Sequence, residues 1–503
     1  MYHSLRIEPL GISLIVNHGE RLTDVLRTYG VEFPCGGKGL CGNCKVRILS
    51  GVVEKTAAHK ELLERKKLYD NWCLACFAYV EDDLTIEIPY GEMSVQTDND
   101  DVCPGNIENG FAVSVDLGST TVVVQLINLE TGSVLCTKTG LNPQSAYGTD
   151  IISRVSYSMT SKECRDIMTG VIRNYIGSQI NSIISDFPDI QIKRIRMVGN
   201  TVMHHLFIGH DVSCLARAPF QSEHNSNFIF SPDELGWNIA SDCDVEFLPN
   251  ISHFVGSDIL AGIISCGMYN SEKYLLLVDL GTNGEIVLGN KTRMWCTSTA
   301  AGPAFEGINI SCGMRASTGA ISEVEYKDDK FEVSTIGGVN PLGLCGSGLV
   351  EAIYTLLEND MIDCMGNILS DNHEGFELAE GVKLMPEDIR EFQLAKAAIA
   401  AGVQLLVKYS SISVDDISCV YITGGLGNYI NFSKIIRLGL IPGIGIDKFC
   451  RMSNAALSGC KMLLFKSEYN KIGNILDRMC YCPLESDSDF MDFYCNNMYF
   501  PIE

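Results

Sequence analysis

The chain has 503 residues, 46% of them apolar and 20% charged, an ordinary globular composition in a length that divides into two to four domains. Its 38 lysines and arginines against 62 acidic residues leave a net charge of −24, which excludes the basic surface that nucleic acid requires and suits an anionic membrane poorly. No run of 18 uncharged apolar residues predicts a transmembrane helix, and 21 cysteines with no leading signal segment read as reduced thiols of a cytoplasmic protein.

Residues 1–92 read as one compact unit. Leu5 to Ile7 and Ser13 to Val16 are short strands, and Arg21 to Tyr29 is an amphipathic helix. Then comes a loop in which Cys35, Cys41 and Cys44 follow a C-x5-C-x2-C spacing, with Gly36, Gly37, Gly39 and Gly42 between them. A strand at Lys45 to Ile48, a charged helix near His59 to Lys67, a Cys73-Leu74-Ala75-Cys76 step and a final strand at Leu84 to Pro89 complete the unit. A clustered trio of thiolates plus one distant cysteine is the ligand set of a [2Fe-2S] cluster. Glycines without a Cβ let such a loop aim backbone N–H groups at sulfide. Thiolates also suit zinc, but the glycine-rich loop makes that the poorer reading. Both Cys73 and Cys76 are candidates for the fourth ligand. The resemblance to ferredoxins, whose last ligand follows a Leu-Ala pair, favours Cys76.

Residues 93–109 are polar and acidic, contain Pro104-Gly105 and hold no lysine or arginine, which predicts a flexible linker. Seventeen free residues would span about 20–25 Å on average.

From Gly110 the chain repeats itself. Phe111 to Leu117 is an apolar strand carrying Asp116, followed by Gly118-Ser119-Thr120-Thr121 and a second strand. Its near-copy, 163 residues on, is Tyr274 to Leu280 carrying Asp279, followed by Gly281-Thr282-Asn283-Gly284-Glu285. An Asp ending a strand can hold Mg²⁺, and a turn of glycine and hydroxyl residues offers donors to phosphate. Val420 to Thr423 enters a third turn, Gly424-Gly425-Leu426-Gly427, open enough for an adenosine to lie against the backbone. Its G-G-x-G spacing lacks the G-x-G-x-x-G of a dinucleotide fold.

These three turns together look like the phosphate and adenosine motifs of the acetate-and-sugar-kinase, heat-shock-chaperone and actin (ASKHA) superfamily. Further stretches at 198–203, 301–307, 344–349 and 394–399, behind an N-terminal iron–sulfur unit, resemble the ATP-dependent reductive activators of corrinoid-dependent methyltransferases. The resemblance implies an α+β ferredoxin (β-grasp) domain at 1–92, the linker at 93–109, and a two-lobed α/β, ribonuclease-H-like ATPase with lobes at 110–273 and 274–503. It implies a [2Fe-2S] cluster, ATP and Mg²⁺, and one-electron reduction of a Co(II) corrinoid protein of a methyltransferase system to Co(I), fed by an upstream electron donor. A homodimer and the mode of partner docking are left open, because longer members carry an extra middle domain where only the short linker stands here. Ala455, Ala456 and Gly459 would allow close approach of the superfamily's second connecting helix. Glu285 and Glu306 are candidates to orient the attacking water. The alternatives are an ATP-coupled donor like the activators of 2-hydroxyacyl-CoA dehydratases, a redox-regulated small-molecule kinase, or a nucleotide-gated binding module. Cys345, Cys480, Cys482 and Cys495 read as structural thiols, and His204-His205 as packing histidines.

Overall fold

The computed structural model describes the whole chain other than residues 9–11, 27–30, 32–36, 38, 40–43, 66–67, 69–70, 89–96, 104–105, 149, 218–219, 221, 223, 241, 370–373, 426–429 and 503. Three sheets organise it. The first is made of β1 (Tyr2–Glu8), β2 (Ile12–Asn17), β3 (Lys45–Ser50), β4 (Trp72–Leu74) and β5 (Leu84–Glu87), in the order β2-β1-β5-β3-β4. β1 runs parallel to β5 and the other pairs are antiparallel. Alternation places Leu5, Ile7, Val46, Leu84 and Ile86 on a buried face, over which α1 (Ala57–Arg65) lays Leu62 and Leu63.

The two repeats fold into two sheets of the same plan. In the first lobe β6 (Phe111–Leu117), β7 (Thr121–Asn128), β8 (Val134–Leu141), β9 (Ile192–Gly199), β10 (Phe228–Phe230) and β11 (Asp244–Phe247) stand in the order β8-β7-β6-β9-β11-β10. In the second, β12 (Tyr274–Leu280), β13 (Gly284–Gly289), β14 (Met294–Thr299), β15 (Ile417–Thr423), β16 (Phe449–Arg451) and β17 (Met479–Tyr481) stand in the order β16-β15-β12-β13-β14-β17. Each has an antiparallel three-strand meander whose first strand pairs in parallel with the strand returning from a helix. That return strand pairs in parallel with the next one, so the doubly covered strands read as continuous Val/Ile/Leu runs.

Helix α2 (Lys162–Asp186) covers the first sheet, with Ile172, Ile176, Ile180 and Ile183 buried one turn apart. Helix α3 (Thr201–Ile208) opens at the end of β9, and His204 and His205 on it are fully buried. His205 is held by the Thr201 carbonyl at 2.7 Å and Ser222 Oγ at 2.6 Å, the packing role expected for this pair. Helix α4 (Ser257–Ser265) follows β11, and helix α5 (Pro386–Ser410) covers the second sheet behind a Pro at its first position. Helix α6 (Ala455–Met462) packs against α4, and together they share one core with both sheets (Val198, Ile259, Leu277, Cys460). A Cβ at Gly459 would overlap the Ala261 carbonyl of α4, so the close approach expected of this helix is realised and depends on that glycine.

The acidic stretch departs from the expected free linker. From residue 97 its described residues form a strap fixed both to the first lobe and to Lys461 of α6. The Asp98 carbonyl accepts from Gln125 Nε2 at 2.9 Å and from Lys461 Nζ at 2.8 Å, and the Asp100 carbonyl accepts from Lys461 Nζ at 2.7 Å. The Val102 amide donates to the Gly132 carbonyl at 2.9 Å, and Glu108 pairs with Arg194. Backbone carbonyls need donors, and a fully buried lysine 363 residues away supplies them, which composition could not reveal. Residues 89–96 alone separate the strap from Ile88, whose amide is bonded to the Glu8 carbonyl, so their reach has a ceiling of about 30 Å.

Candidate functional site

Two sites are built on this frame. In the first domain Cys44 precedes β3 and Cys76 sits in a short helical turn, Ala75–Phe77, after β4. The Ala75 amide donates to the Cys44 carbonyl at 2.8 Å, so the two cysteine-bearing segments are adjacent. Arg21 Nη2 donates to the carbonyls of Gly37 and Cys76, at 3.4 and 3.1 Å, tying the loop to the same turn. Gly39 adopts φ +72°, and a Cβ there would lie 2.5 Å from Phe77 Cζ, so the loop closes against the Cys76 turn only with glycine at that position. Cys73 is a residue of β4 and, like Cys44 and Cys76, is buried in the domain core. The described residues place Cys44 and Cys76 on adjacent segments, as two ligands of one cluster would have to be. Cys35 and Cys41 lie outside the described residues.

The second site is a cleft between the lobes. Asp116, Gly118, Ser119, Thr120 and Thr121 of the first repeat line it together with Asp279, Gly281, Thr282, Asn283 and Glu285 of the second. Glu306, Gly424 and Gly425 complete the same wall, so turns from three distant parts of the chain converge. Gly424 has φ +88°, and a side chain there would strike Asp279 Oδ1 and the Leu280 backbone, which is why a glycine stands where β15 passes β12. Gly284 is placed differently from the expectation. It begins β13, is buried, and a Cβ there would overlap Ile399 of α5, so its lack of a side chain serves packing rather than the cleft. Gly427 lies outside the described residues.

The geometry gives these residues distinct work. Asp116 and Asp279 occupy the same position in their strands and both line the cleft, where the charge of Asp116 raises Asp279. Asp279 stands opposite Glu285 in the β12–β13 register. Asp258, in the first turn of α4, joins them. Burial first, then the charges of Asp279 and Asp116, raises Asp258 to about 8, and burial and then Asp116 raise Asp279 to about 7; burial raises Asp116 to about 6, opposed by the hydrogen bond from Asn454 Nδ2 at 2.9 Å. Glu285 is raised well above the carboxylate range by burial and then by Asp258 and Asp279. Among the described residues no three carboxylates converge as a ready metal cage, but a Mg²⁺ arriving with a nucleotide would neutralise part of this charge. Glu306 has a bridging position: its carboxylate accepts from Thr120 Oγ1 of the first lobe at 3.2 Å and from Thr282 Oγ1 of the second.

Sequence reasoning missed Asp258, Arg154 and Arg315 and assigned no role to Asn200 or Asn454. The two asparagines are N-caps of α3 and α6, accepting from the Met203 and Leu457 amides at 3.0 and 2.8 Å, and an Asn before an apolar helix is a readable signal. Arg154, fully buried, donates to the Ser119 carbonyl at 2.5 Å and the Gly148 carbonyl at 2.6 Å, propping the first turn from behind. Burial lowers it to about 10. No local pattern marks it.

Comparison with known proteins agrees with this arrangement. The model of the C-terminal domain of RACo, the ASKHA domain, matches residues 273–503; that of the RACo middle region matches 111–271; that of the 2Fe-2S iron–sulfur cluster binding domain matches 5–81. The corrinoid activation enzyme RamQ of Eubacterium limosum is 31% identical over 419 residues, 78% of this chain and 70% of that protein. A [Co(II) methylated amine-specific corrinoid protein] reductase of Methanosarcina barkeri is 25% identical over 418 residues, 76% of each chain. A solved reductive activator for a corrinoid, iron–sulfur protein superposes with a TM-score of 0.69 at 27% identity, covering 99% of this chain and 98% of that one. The expectation of a missing middle domain is thereby corrected, since the family's middle region is the first lobe itself. With its 2Fe-2S domain, middle region and ASKHA domain in that order, the chain belongs to the RACo family.

Proposed function

We propose that the protein is an ATP-dependent reductive activator that returns the cobalt of a methyltransferase's corrinoid protein from Co(II) to Co(I). The observation that carries the reading is the joining, in one chain, of a cysteine-loop domain to a cleft where both D-L-G turns and the glycine turn meet. Cys35, Cys41, Cys44 and Cys76 would hold the [2Fe-2S] cluster, which would supply the one-electron chemistry between an upstream donor and the corrinoid protein. The residues of the cleft do the rest. The turns at 118–121 and 281–283 would present hydroxyl and amide donors to the phosphates, and Asp116, Asp258 and Asp279 would be the carboxylates available to Mg²⁺. Gly424 and Gly425 would leave room for the adenosine. Glu306 orients the attacking water and senses lobe closure, because its two hydroxyl donors come from opposite lobes. Glu285 holds a proton at its buried position beside Ser298 Oγ, 3.3 Å away.

Coupling to ATP has a physical reason. A Co(II)/Co(I) couple lies below an ordinary [2Fe-2S] potential, and about 59 mV of mismatch costs a factor of ten in a one-electron equilibrium. A clamp that binds the corrinoid protein differently in its two nucleotide states can shift that equilibrium. Among the described residues no helix is long and apolar enough to cross a membrane, and we place the activity in the cytoplasm.

The test is anaerobic. Reduced, cluster-loaded protein is mixed with a Co(II) corrinoid protein, and the Co(I) absorption band is followed with and without Mg·ATP. ATP-dependent Co(I) is expected. Intact cluster and ATP turnover with no Co(I) from any of several corrinoid proteins would sink the reading and favour another low-potential acceptor.

A further inference from the structure

Strand β15 and its parallel neighbour β16 carry one cysteine each. The register pairs Val420 with Phe449 and Tyr421 with Cys450, so alternation places Cys419, Tyr421 and Cys450 on one face of the sheet. There the sulfurs of Cys419 and Cys450 stand 2.9 Å apart. A disulfide needs about 2.05 Å, so closure asks for less than an ångström of movement. The two thiols are unlike. Cys450 is exposed, whereas Cys419 is partly buried, and burial and then Cys450 push its thiol up to about 12.

The position of the pair gives it consequence. Four residues beyond Cys419 is Thr423, and three and four beyond Cys450 are Ser453 and Asn454, all lining the cleft. The two strands are laced together just above the sulfurs. The Met452 amide donates to the Ile422 carbonyl at 3.0 Å, and the Ala455 amide donates to Thr423 Oγ1 at 3.1 Å. Asn454 in turn holds Asp116. A covalent tie between Cys419 and Cys450 therefore sits at the root of the wall that carries the glycine turn and the Asp116 partner.

We infer that Cys419 and Cys450 form a reversible disulfide that acts as a thiol switch on the nucleotide cleft. The oxidant is a low-molecular-weight disulfide. The exposed Cys450 thiolate attacks it, forming a mixed disulfide and releasing one small thiolate. Cys419 gives its proton to solvent and displaces the second small thiolate from Cys450. The protein loses two electrons and the small disulfide gains them, becoming two thiols. A small dithiol or thiol reductant reverses both steps. In a reducing compartment the pair is held open, and it closes only when the thiol pool is oxidised. Bond formation stands apart from the proposed activity; its effect on nucleotide rests on the cleft being the ATP site.

The experiment equilibrates the full-length, cluster-loaded protein anaerobically in glutathione/glutathione disulfide mixtures, quenches with an alkylating agent, and maps peptides without reduction. The expected result is a Cys419–Cys450 cross-link in the wild type, absent from Cys450→Ser, with Cys450 trapped as the glutathione mixed disulfide in Cys419→Ser. Mg·ATP is expected to move the cross-linking midpoint at least threefold. The ATP dissociation constant of the oxidised protein then differs from that of the reduced protein by the same factor, as linkage requires. Accumulation of the mixed disulfide in the wild type, or linkage of Cys419 to the nearby Cys266, overturns the assignment. A cross-link formed with unchanged ATP affinity overturns the switch. Absence of ATP binding in both redox states counts instead against the nucleotide reading of the cleft.

Discussion

Replacing Lys461 by methionine is expected to free the strap while leaving the lobes folded. Lys461 is fully buried, and its ammonium donates to the carbonyls of Asp98 and Asp100 and lies 3.3 Å from Asp98 Oδ1. Burial lowers its pKa and Asp98 opposes that, so the charge is retained by the strap it binds. Methionine preserves the side-chain length but leaves the Asp98 carboxylate and the Asp100 carbonyl without this donor in a closed site. Removing one member of a buried ion pair costs about 3–5 kcal/mol. The strap can escape that cost by lifting into water, so the loss of global stability is capped by the strap's own free energy of attachment. The assay is amide hydrogen exchange at Val102 and Val134, which donate to the Gly132 carbonyl and to Asp101 Oδ1. About 3 kcal/mol corresponds to roughly a hundredfold loss of protection there, with α2 and β6 unchanged. Protection within threefold of wild type, together with an unchanged denaturation midpoint, would refute the view that Lys461 fastens the strap.

Further outcomes follow from the same geometry. His204 and His205 are held neutral by burial, at about 3 and about 4 against an ordinary 6.5. The unfolded chain therefore takes up protons that the folded chain refuses, so stability present above pH 6.5 falls as pH drops toward 4, by about 1.4 kcal/mol per pH unit for each histidine. The raised carboxylates of the cleft contribute the opposite slope and His59 the same one, so the check is the difference between wild type and His205→Gln: the gap between their urea midpoints should change from pH 7 to pH 5 by the share of that single histidine. In the cleft, Mg·nucleotide must displace protons from Asp116, Asp258 and Asp279, so affinity rises with pH between about 6 and 8 and calorimetry in buffers of different ionisation heat should register proton release near pH 7. Asp258→Asn is expected to weaken Mg·ATP binding at least tenfold with little change in thermal stability. Glu306→Gln should retain ATP binding and lose turnover by about a hundredfold, which a binding and hydrolysis assay on one sample separates. Gly39→Ala should abolish cluster loading, read from visible absorption, because its Cβ would meet the Phe77 ring.

Much of the site was legible because its parts are local patterns. The two strand–D-L-G–strand segments announce themselves by repetition, and they fold into sheets that share a five-strand order, with the sixth strand at opposite edges. The cysteine loop is legible from spacing and glycine content alone. The strap was not, since acidic residues around a Pro-Gly step look the same whether they are free or pinned. Asp258 was not, because Ser257-Asp258 before an apolar helix reads as an ordinary helix start.

The sequence by itself determined the modules, their order, and which residue types would face a cluster, a phosphate and a metal, since those depend on chemistry held within about ten consecutive residues. Only the tertiary structure decided which of these groups meet. It brings Asn454 to Asp116, 338 residues apart, joins Thr120 and Thr282 on one Glu306 carboxylate, and sets Lys461 under the strap. The physical reason is that such contacts are fixed by the packing of α4 and α6 between two sheets, and packing is a property of surfaces in space that no stretch of chain carries alone.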